Sequence, residues 1–160
     1  MRRAIAVLAI CGAAKVATAQ RPVSASSPLA EFNRALQQAT FQMNDSAALA
    51  LWDASGVSLL PNVAPISGKP AITTYLTSMT SQLHGAKMER FDLRCFDDAV
   101  SGAWASEWCI EHQIVQLGDN KTFDGWGKLA FVLRRTDAGW RLTQEAWLPA
   151  TAGDSTLLRR

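Results

Sequence analysis

The sequence has little of what most metal, phosphate and nucleophile sites require. It contains only two His residues, and no pair has the spacing of metal ligands on one face of an element. It has no Gly-rich phosphate loop and no Gly-x-Ser-x-Gly nucleophile motif. Sixteen Lys and Arg against fourteen Asp and Glu give a net charge of +2, without the concentrated basic charge of nucleic-acid-binding proteins. We therefore expect no metal, no other cofactor and no nucleic-acid partner.

Only one long apolar run is present, and it lies at the N-terminus. Ala4–Ala14 follows the positive Met1-Arg2-Arg3 and precedes the small-x-small pattern Ala17-Thr18-Ala19. This order predicts a signal peptide over residues 1–19. Lys15 interrupts the run well before the roughly 20 apolar residues that a membrane-spanning helix needs. We expect a secreted or periplasmic protein without stable membrane insertion.

The remaining chain predicts one α+β domain over residues 29–150, between a linker at 20–28 and a flexible C-terminal tail at 151–160. Apolar residues at steps of three and four predict three helices: Pro28–Met43, Ala47–Trp52 and a third between Gly68 and Gly85. Period-two patterns predict a short strand and four long ones: Val57–Leu60, Lys87–Phe96, Ala99–Leu117, Thr122–Arg135 and Trp140–Leu148. Helices followed by a meander favour three helices packed on a strongly curved antiparallel sheet.

Counting from two assumed turns predicts which side chains of the sheet face inward. Turns at Asp97-Asp98 and Asp119-Asn120 pair Trp108 with Phe131 and His112 with Gly127. The predicted inner face then contains Phe91, Leu93, Cys95, Val100, Trp104, Trp108, Ile110, Ile114, Leu129, Phe131 and Leu133. The predicted outer face contains Arg90, Asp92, Arg94, Glu107, Glu111, Gln113, Lys128 and Arg134. A slip of one residue would exchange the faces.

This register has consequences for the cysteines and for His112. Cys95 faces inward and Cys109 outward, so we expect two free thiols rather than a disulfide. His112 is the only ionisable residue on the inner face of its strand, beside the space that Gly127 leaves. The small outer residues Ala103, Ala105, Cys109 and Ala130, with Trp126 at the edge, predict a homodimer formed through the outer face of the sheet.

Three segments resemble the nuclear-transport-factor-like cone fold, and more closely its SnoaL-like branch of secreted domains. They are Leu49-Ala50-Leu51-Trp52-Asp53 leading to Gly56–Pro61, Gly68–Ile72 at the start of the third helix, and Leu133–Leu142 ending at Trp147. The resemblance implies a ligand pocket between helices and sheet. The family contains isomerase-, cyclase- and hydrolase-type enzymes, so the resemblance also implies that an activity of this kind is to be considered. Tyr75 is the only Tyr for an oxyanion pair, and Glu145 stands where related domains often carry an Asp or His.

We therefore expect a secreted domain that binds a small apolar molecule. The ligand-binding candidates are Trp52, Tyr75, Trp104, Trp108, Gly127, Phe131 and Trp147. One alternative is an enzyme that uses His112 and Glu145 for proton transfer. Another is a non-catalytic dimeric assembly module. The turn at Asp137-Ala138-Gly139 leaves open whether Gln144 or Glu145 faces inward.

Overall fold

The computed structural model describes residues 27–83, 85–117, 121–151, 153, 154 and 156. The predicted signal peptide, linker positions 20–26, the Asp119-Asn120 turn and much of the C-terminal tail lie outside the described residues. Within the described residues, no helix is long and apolar enough to cross a membrane.

The elements follow the predicted order, with three helices before the long strands. The helices are α1 (Ala30–Phe41), α2 (Asp45–Ala50) and α3 (Lys69–Gln82). The strands are β1 (Trp52–Leu59), β2 (Ile66–Ser67), β3 (Lys87–Ser101), β4 (Trp104–Gln116), β5 (Thr122–Thr136) and β6 (Gly139–Pro149). Asn44 caps α2 by accepting a hydrogen bond from the Ala47 amide.

The strands form one open six-stranded sheet in the order β2-β1-β6-β5-β4-β3, with the helices packed on it. The predicted α+β class is confirmed. The sheet is mixed rather than antiparallel throughout, because β1 runs parallel to β6. This pairing brings the segment after α2 beside the last strand, which the sequence reaches only about 85 residues later. β1 and β6 therefore contribute side chains to the same region of the sheet.

The predicted turn between β3 and β4 is wrong. Ser101 pairs with Trp104, so the two-residue turn is Gly102-Ala103, with Gly102 at φ +58°. The Asp97-Asp98 position is instead an irregularity inside β3, between Phe96 and Ala99, where Asp97 has φ +54°. The pairing of β4 with β5 is also one residue from the expected register, because His112 lies opposite Trp126 rather than Gly127.

The corrected register exchanges the two faces of β4. Glu107 and Glu111, expected outside, are 1% and 6% exposed and lie on the face that carries Cys109. Trp104 and Trp108, expected inside, are 51% and 55% exposed. Val100 is likewise exposed. Period-two alternation means that a one-residue change of register moves every side chain of a strand to the other face.

A disulfide joins Cys95 to Cys109, so the expectation of two free thiols is wrong. The two residues are direct cross-strand partners, with their Cα atoms 4.0 Å apart. Direct partners point to the same face, whereas the predicted register had placed them on opposite faces. Glu107 lies beside the bond, but the two sulfur atoms are joined to each other and are not free to bind a metal.

The core lies between α1, α3 and the inner face of the sheet. Phe32 of α1 packs edge-on against Phe131 of β5, with ring centroids 6.3 Å apart. The buried cluster comprises Leu29, Phe32, Trp52, Ile72, Cys95, Ala105, Cys109, Leu129, Phe131, Leu133 and Leu142. The predicted inner positions Cys95, Leu129, Phe131 and Leu133 are confirmed members of this core.

An ion pair ties the start of β1 to β5. Arg134 donates to Asp53 at 2.6 Å, and Ser55 donates to the same carboxylate through its amide and its hydroxyl at 3.0 and 2.8 Å. These hydrogen bonds, led by the Ser55 amide, lower the pKa of Asp53 to about 2. Asp53 therefore stays ionised, and its ion pair with Arg134 holds the start of β1 to β5.

Candidate functional site

A cavity of about 450 Å³ lies between α3 and the strands β1, β2 and β6. We call it the α3 cavity. It is lined by Trp52, Ser58, Leu60, Pro61, Ile66, Ile72, Tyr75, Leu76, Met79, Gln113, Glu145 and Trp147. The lining is mostly apolar and aromatic with a few polar groups, as in most small-molecule sites. Its volume falls in the range of roughly 300–1,000 Å³ that such sites occupy.

The local sequence explains why these side chains meet. Helix α3 places Ile72, Tyr75, Leu76 and Met79 along one side because residues three and four apart share a helix face. On β6, Glu145 and Trp147 are two residues apart and point to the same face. A register shift between Val132 and Leu133 sets this facing, which leaves Gln144 exposed.

Glu145 is the acidic residue that lines the α3 cavity. The hydroxyl of Ser58 donates to Glu145 Oε2 at 2.8 Å, which connects the adjacent parallel strands β1 and β6. Burial raises the pKa of Glu145, and the Ser58 hydrogen bond opposes this increase only in part. The carboxyl group is therefore easier to protonate than an exposed Glu.

Glu111 lies behind the wall of the cavity. The indole nitrogen of Trp147 donates to Glu111 Oε1 at 2.6 Å and so fixes the ring that lines the cavity. Burial, followed by the nearby charge of Glu145, raises the pKa of Glu111 to about 7, against the hydrogen bond from Trp147. Carboxyl groups with raised pKa values beside a cavity are a common feature of functional sites.

Glu107 has a raised pKa as well, but it lies away from the α3 cavity. Burial raises its pKa to about 7, opposed by a hydrogen bond from Asn33 and reinforced by the charge of Asp98. Asn33 Nδ2 donates to Glu107 Oε2 at 2.9 Å, whereas Asn33 Oδ1 and Glu107 Oε1 have no partner among the described residues. This contact joins α1 to β4, so Glu107 has a structural role rather than a place in the α3 cavity.

His112 lies on the opposite face of the sheet from the α3 cavity. Its ring stacks on Trp126, with centroids 3.8 Å apart and planes within 1°. Its Nε2 lies 2.8 Å from Asp124 Oδ1, and the side chain is almost fully buried. The structure does not bring His112 together with Glu145.

The other predicted ligand-binding residues divide between the cavity, the core and the outer face. Trp52, Tyr75 and Trp147 line the α3 cavity. Phe131 is 1% exposed and belongs to the core. Gly127 borders no open space, because a Cβ atom there would meet Trp147 Nε1 and Glu111 Oε1. Trp104 and Trp108 lie on the outer face.

Sequence reasoning missed Ser58, Glu111 and Gln113. It placed Glu111 and Gln113 outside because it assigned Asp97-Asp98 to a turn and so missed the one-residue shift of pairing between Phe96 and Ala99. Counting from a turn at Gly102-Ala103 without this shift pairs Cys95 with Ile110. The shift is what places Cys95 opposite Cys109 and Glu111 inside. Ser58 lies in the Gly56–Pro61 segment that carries the resemblance, but its role is recognisable only through its contact with Glu145.

A second cavity, of about 600 Å³, lies between α1 and β3 and is more open. Its lining is mainly charged and amide side chains: Arg34, Gln37, Gln38, Phe41, Glu89, Arg90, Phe91 and Asp92. Its charged residues Glu89, Arg90 and Asp92 are exposed, in contrast to Glu111 and Glu145 at the α3 cavity. The α3 cavity is therefore the stronger candidate site.

Solved structures share this arrangement of helices and sheet. A ketosteroid isomerase-like protein from Erwinia carotovora atroseptica superposes with a TM-score of 0.63 at 15% identity, over 74% of this chain and 90% of that chain. An NTF2-like protein of unknown function from Pseudomonas putida gives 0.58 at 17% identity, over 77% and 84%. An NTF2-like protein with a cystatin-like fold from Novosphingobium aromaticivorans gives 0.57 at 19%, over 80% and 86%.

The chain has the nuclear-transport-factor-like fold. The fold resemblance inferred from the sequence is therefore confirmed, while the assignment to a secreted branch stays a prediction. No protein-family model matches the chain, and no curated protein matches it. The α3 cavity lies between the helices and the sheet, where the resemblance implied a pocket.

Proposed function

We propose that the protein binds a small, largely apolar molecule in the α3 cavity, held at a polar point by Glu145. The observation that carries this proposal is an apolar, aromatic cavity with a partly buried carboxyl group on its wall, hydrogen-bonded by Ser58. Apolar walls contribute affinity through burial, and a fixed polar group orients the ligand. The hydrogen bond from Ser58 holds Glu145 in one position before the ligand arrives.

Filling the cavity tests this proposal. Ile66 lines the cavity and is only partly buried, so Ile66→Trp should reduce the volume with little damage to the core. We expect naphthylmethanol to bind the unmodified protein in isothermal titration and to bind Ile66→Trp at least tenfold more weakly. Leu148→Trp is the matched control, because Leu148 is 56% exposed and points away from the cavity. Equal affinities for all three proteins would contradict binding in the α3 cavity.

The second candidate function is proton transfer to or from a carbon of the bound molecule, with Glu145 as the acid or base. The raised pKa of Glu145 favours it, because a general acid or base is most effective when its pKa lies close to the working pH. The structural neighbour described as ketosteroid isomerase-like adds a reason to test carbonyl compounds. His112 has no part in this candidate, since it lies on the other face of the sheet.

Deuterium exchange tests for proton transfer without knowledge of the natural substrate. The protein is incubated with 1-tetralone in D₂O, and loss of the proton signal next to the carbonyl is followed by NMR. Catalysis predicts exchange above the buffer rate that Glu145→Gln abolishes and that the exposed Glu89→Gln retains. Exchange at the buffer rate with bound 1-tetralone would leave the protein a binder.

We further propose that the protein is exported and that two copies associate through the outer face of the sheet. The N-terminal pattern over residues 1–19 supports export, and N-terminal sequencing of the exported protein should begin at Gln20. Exposed Trp104, Trp108 and Leu148 support association, because large exposed apolar residues often mark interfaces. Two of the small residues expected on this face, Ala105 and Cys109, are instead buried on the inner face.

A further inference from the structure

The α3 cavity combines aromatic rings and carboxyl groups without a cation in its wall. Trp52, Tyr75 and Trp147 supply three aromatic side chains, and Glu145 supplies a carboxyl group. Among the described residues that line the cavity, none is Lys, Arg or His. Lys69 lies near the start of α3, but its Nζ donates to the backbone oxygen of Trp52 at 3.5 Å and is not part of the lining.

The two carboxyl groups at this site have hydrogen-bond donors but no counter-charge. Glu145 accepts from Ser58, and Glu111 accepts from Trp147. Neither forms an ion pair with a described residue, in contrast to Asp53, which has Arg134. A buried carboxylate without a cation is costly, and two neighbouring carboxylates also repel each other. A positively charged ligand would supply the missing charge.

The aromatic rings favour the same ligand charge. A cation is attracted to the face of Trp most strongly among aromatic side chains, and the attraction grows when water is excluded. The Trp147 ring is held by the hydrogen bond from its nitrogen to Glu111, so it does not have to be ordered on binding. Rings and carboxyl groups together are suited to an ammonium group with an apolar body.

We propose that the ligand of the α3 cavity is an apolar amine in its protonated form, with the ammonium group at Glu145 and the body against the aromatic rings. This inference rests on the proposed binding function, and it names the chemical class of the ligand. A neutral ligand that accepts a hydrogen bond from a protonated Glu145 is the alternative that the experiment must separate.

Three probes with one ring system and different charges provide the test. Naphthylmethylamine is a cation at pH 7, naphthylmethanol is neutral, and naphthoate is an anion. In isothermal titration against the unmodified protein, we expect the amine to bind at least tenfold tighter than the alcohol, because it gains a charge-assisted hydrogen bond and a cation–π contact. Naphthoate should show no binding, because its charge repels Glu145.

Variants that remove a negative charge show which residue causes the preference for the amine over the alcohol. Glu145→Gln keeps the shape of the side chain and should reduce the ratio of amine to alcohol affinity toward one, leaving only the part that the aromatic rings contribute. Glu89→Gln removes the same charge from an exposed position on β3 and should leave the ratio unchanged. Circular dichroism of both variants checks that they are folded.

The outcomes separate this inference from the proposed function. Tighter binding of naphthylmethanol than of the amine, or equal binding of the two, would overturn the amine inference and leave the cavity a binding site for neutral molecules. An amine preference that is undiminished in Glu145→Gln would overturn the placement of the ammonium group at Glu145. Absence of binding by all three probes would overturn the proposed function together with the inference.

Discussion

Replacing Glu107 by Gln should make the stability of the protein less sensitive to pH. Glu107 is 1% exposed, and Asn33 is its hydrogen-bond partner. Its Oε1 atom has no partner among the described residues, and neither has Asn33 Oδ1. A proton on Glu107 would remove the buried charge and provide a donor next to unsatisfied acceptors. The structure thus favours the neutral acid.

The magnitude follows from the raised pKa. An ordinary Glu has a pKa of 4.5, and burial raises the pKa of Glu107 to about 7. Between these values the folded protein binds more protons than the unfolded chain, so the unfolding free energy falls as pH rises. At about 1.4 kcal/mol per pKa unit, Glu107 removes about 2–3 kcal/mol of stability between pH 5 and pH 8. Gln at this position removes none by this route.

Urea unfolding followed by Trp fluorescence at pH 5 and pH 8 measures the effect. The difference in unfolding free energy between Glu107→Gln and the unmodified protein should shift by about 2–3 kcal/mol in favour of the variant on going from pH 5 to pH 8. Glu89→Gln, at an exposed position, should follow the unmodified protein at both pH values. Parallel pH profiles for Glu107→Gln and the unmodified protein would refute the assignment of a protonated Glu107.

Three further predictions concern the disulfide, the β1 ion pair and the outer face. The unreduced, unfolded protein should show no free thiol at Cys95 or Cys109, and replacing both by Ser should lower the unfolding free energy by about 3 kcal/mol, as expected for a separation of 14 residues. Asp53→Asn should cost about 1–2 kcal/mol at pH 7 in urea unfolding, a deficit that shrinks as pH falls from 3.8 toward the lowered pKa of about 2. Trp108→Glu should convert the dimer to a monomer in analytical ultracentrifugation. Phe41→Glu replaces another exposed aromatic residue, on α1, and should leave the dimer intact. A dimer that survives Trp108→Glu would exclude this interface.

The fold class, α1 and α3 could be predicted because their signals are local, whereas the prediction for α2 was wrong at its end, since Trp52 begins β1. The stripe over Pro28–Met43 predicts α1 to within two residues at each end. Pro70 in the first turn marks the start of α3. Each of these signals depends on neighbours within one or two turns, which the sequence displays directly. The parallel pairing of β1 with β6 has no such local signal.

The faces of β4 could not be predicted because a bulge and a turn produce the same sequence signal. Asp97 and Gly102 both have positive φ, and the residue types that favour this conformation mark both positions. The Asp97-Asp98 pair is the stronger turn pattern, but the chain uses it for an irregularity and turns at Gly102. This irregularity shifts the pairing of β3 with β4 by one residue, which brings Glu111 inside and His112 outside.

Burial raises the pKa of Glu107, Glu111 and Glu145, but the three protons have different physical consequences. One affects folding stability, one affects ligand binding, and one is coupled to both sites. Glu107 contacts Asn33 across the core and lines no part of the α3 cavity, so its proton affects folding stability. Glu145 lines the cavity, so its proton can also be displaced by a ligand that brings positive charge. Glu111 is buried like Glu107, but the charge of Glu145 raises its pKa and its carboxylate accepts a hydrogen bond from the cavity residue Trp147. An amine bound at Glu145 should therefore lower the pKa of Glu111 and leave the pH dependence contributed by Glu107 unchanged.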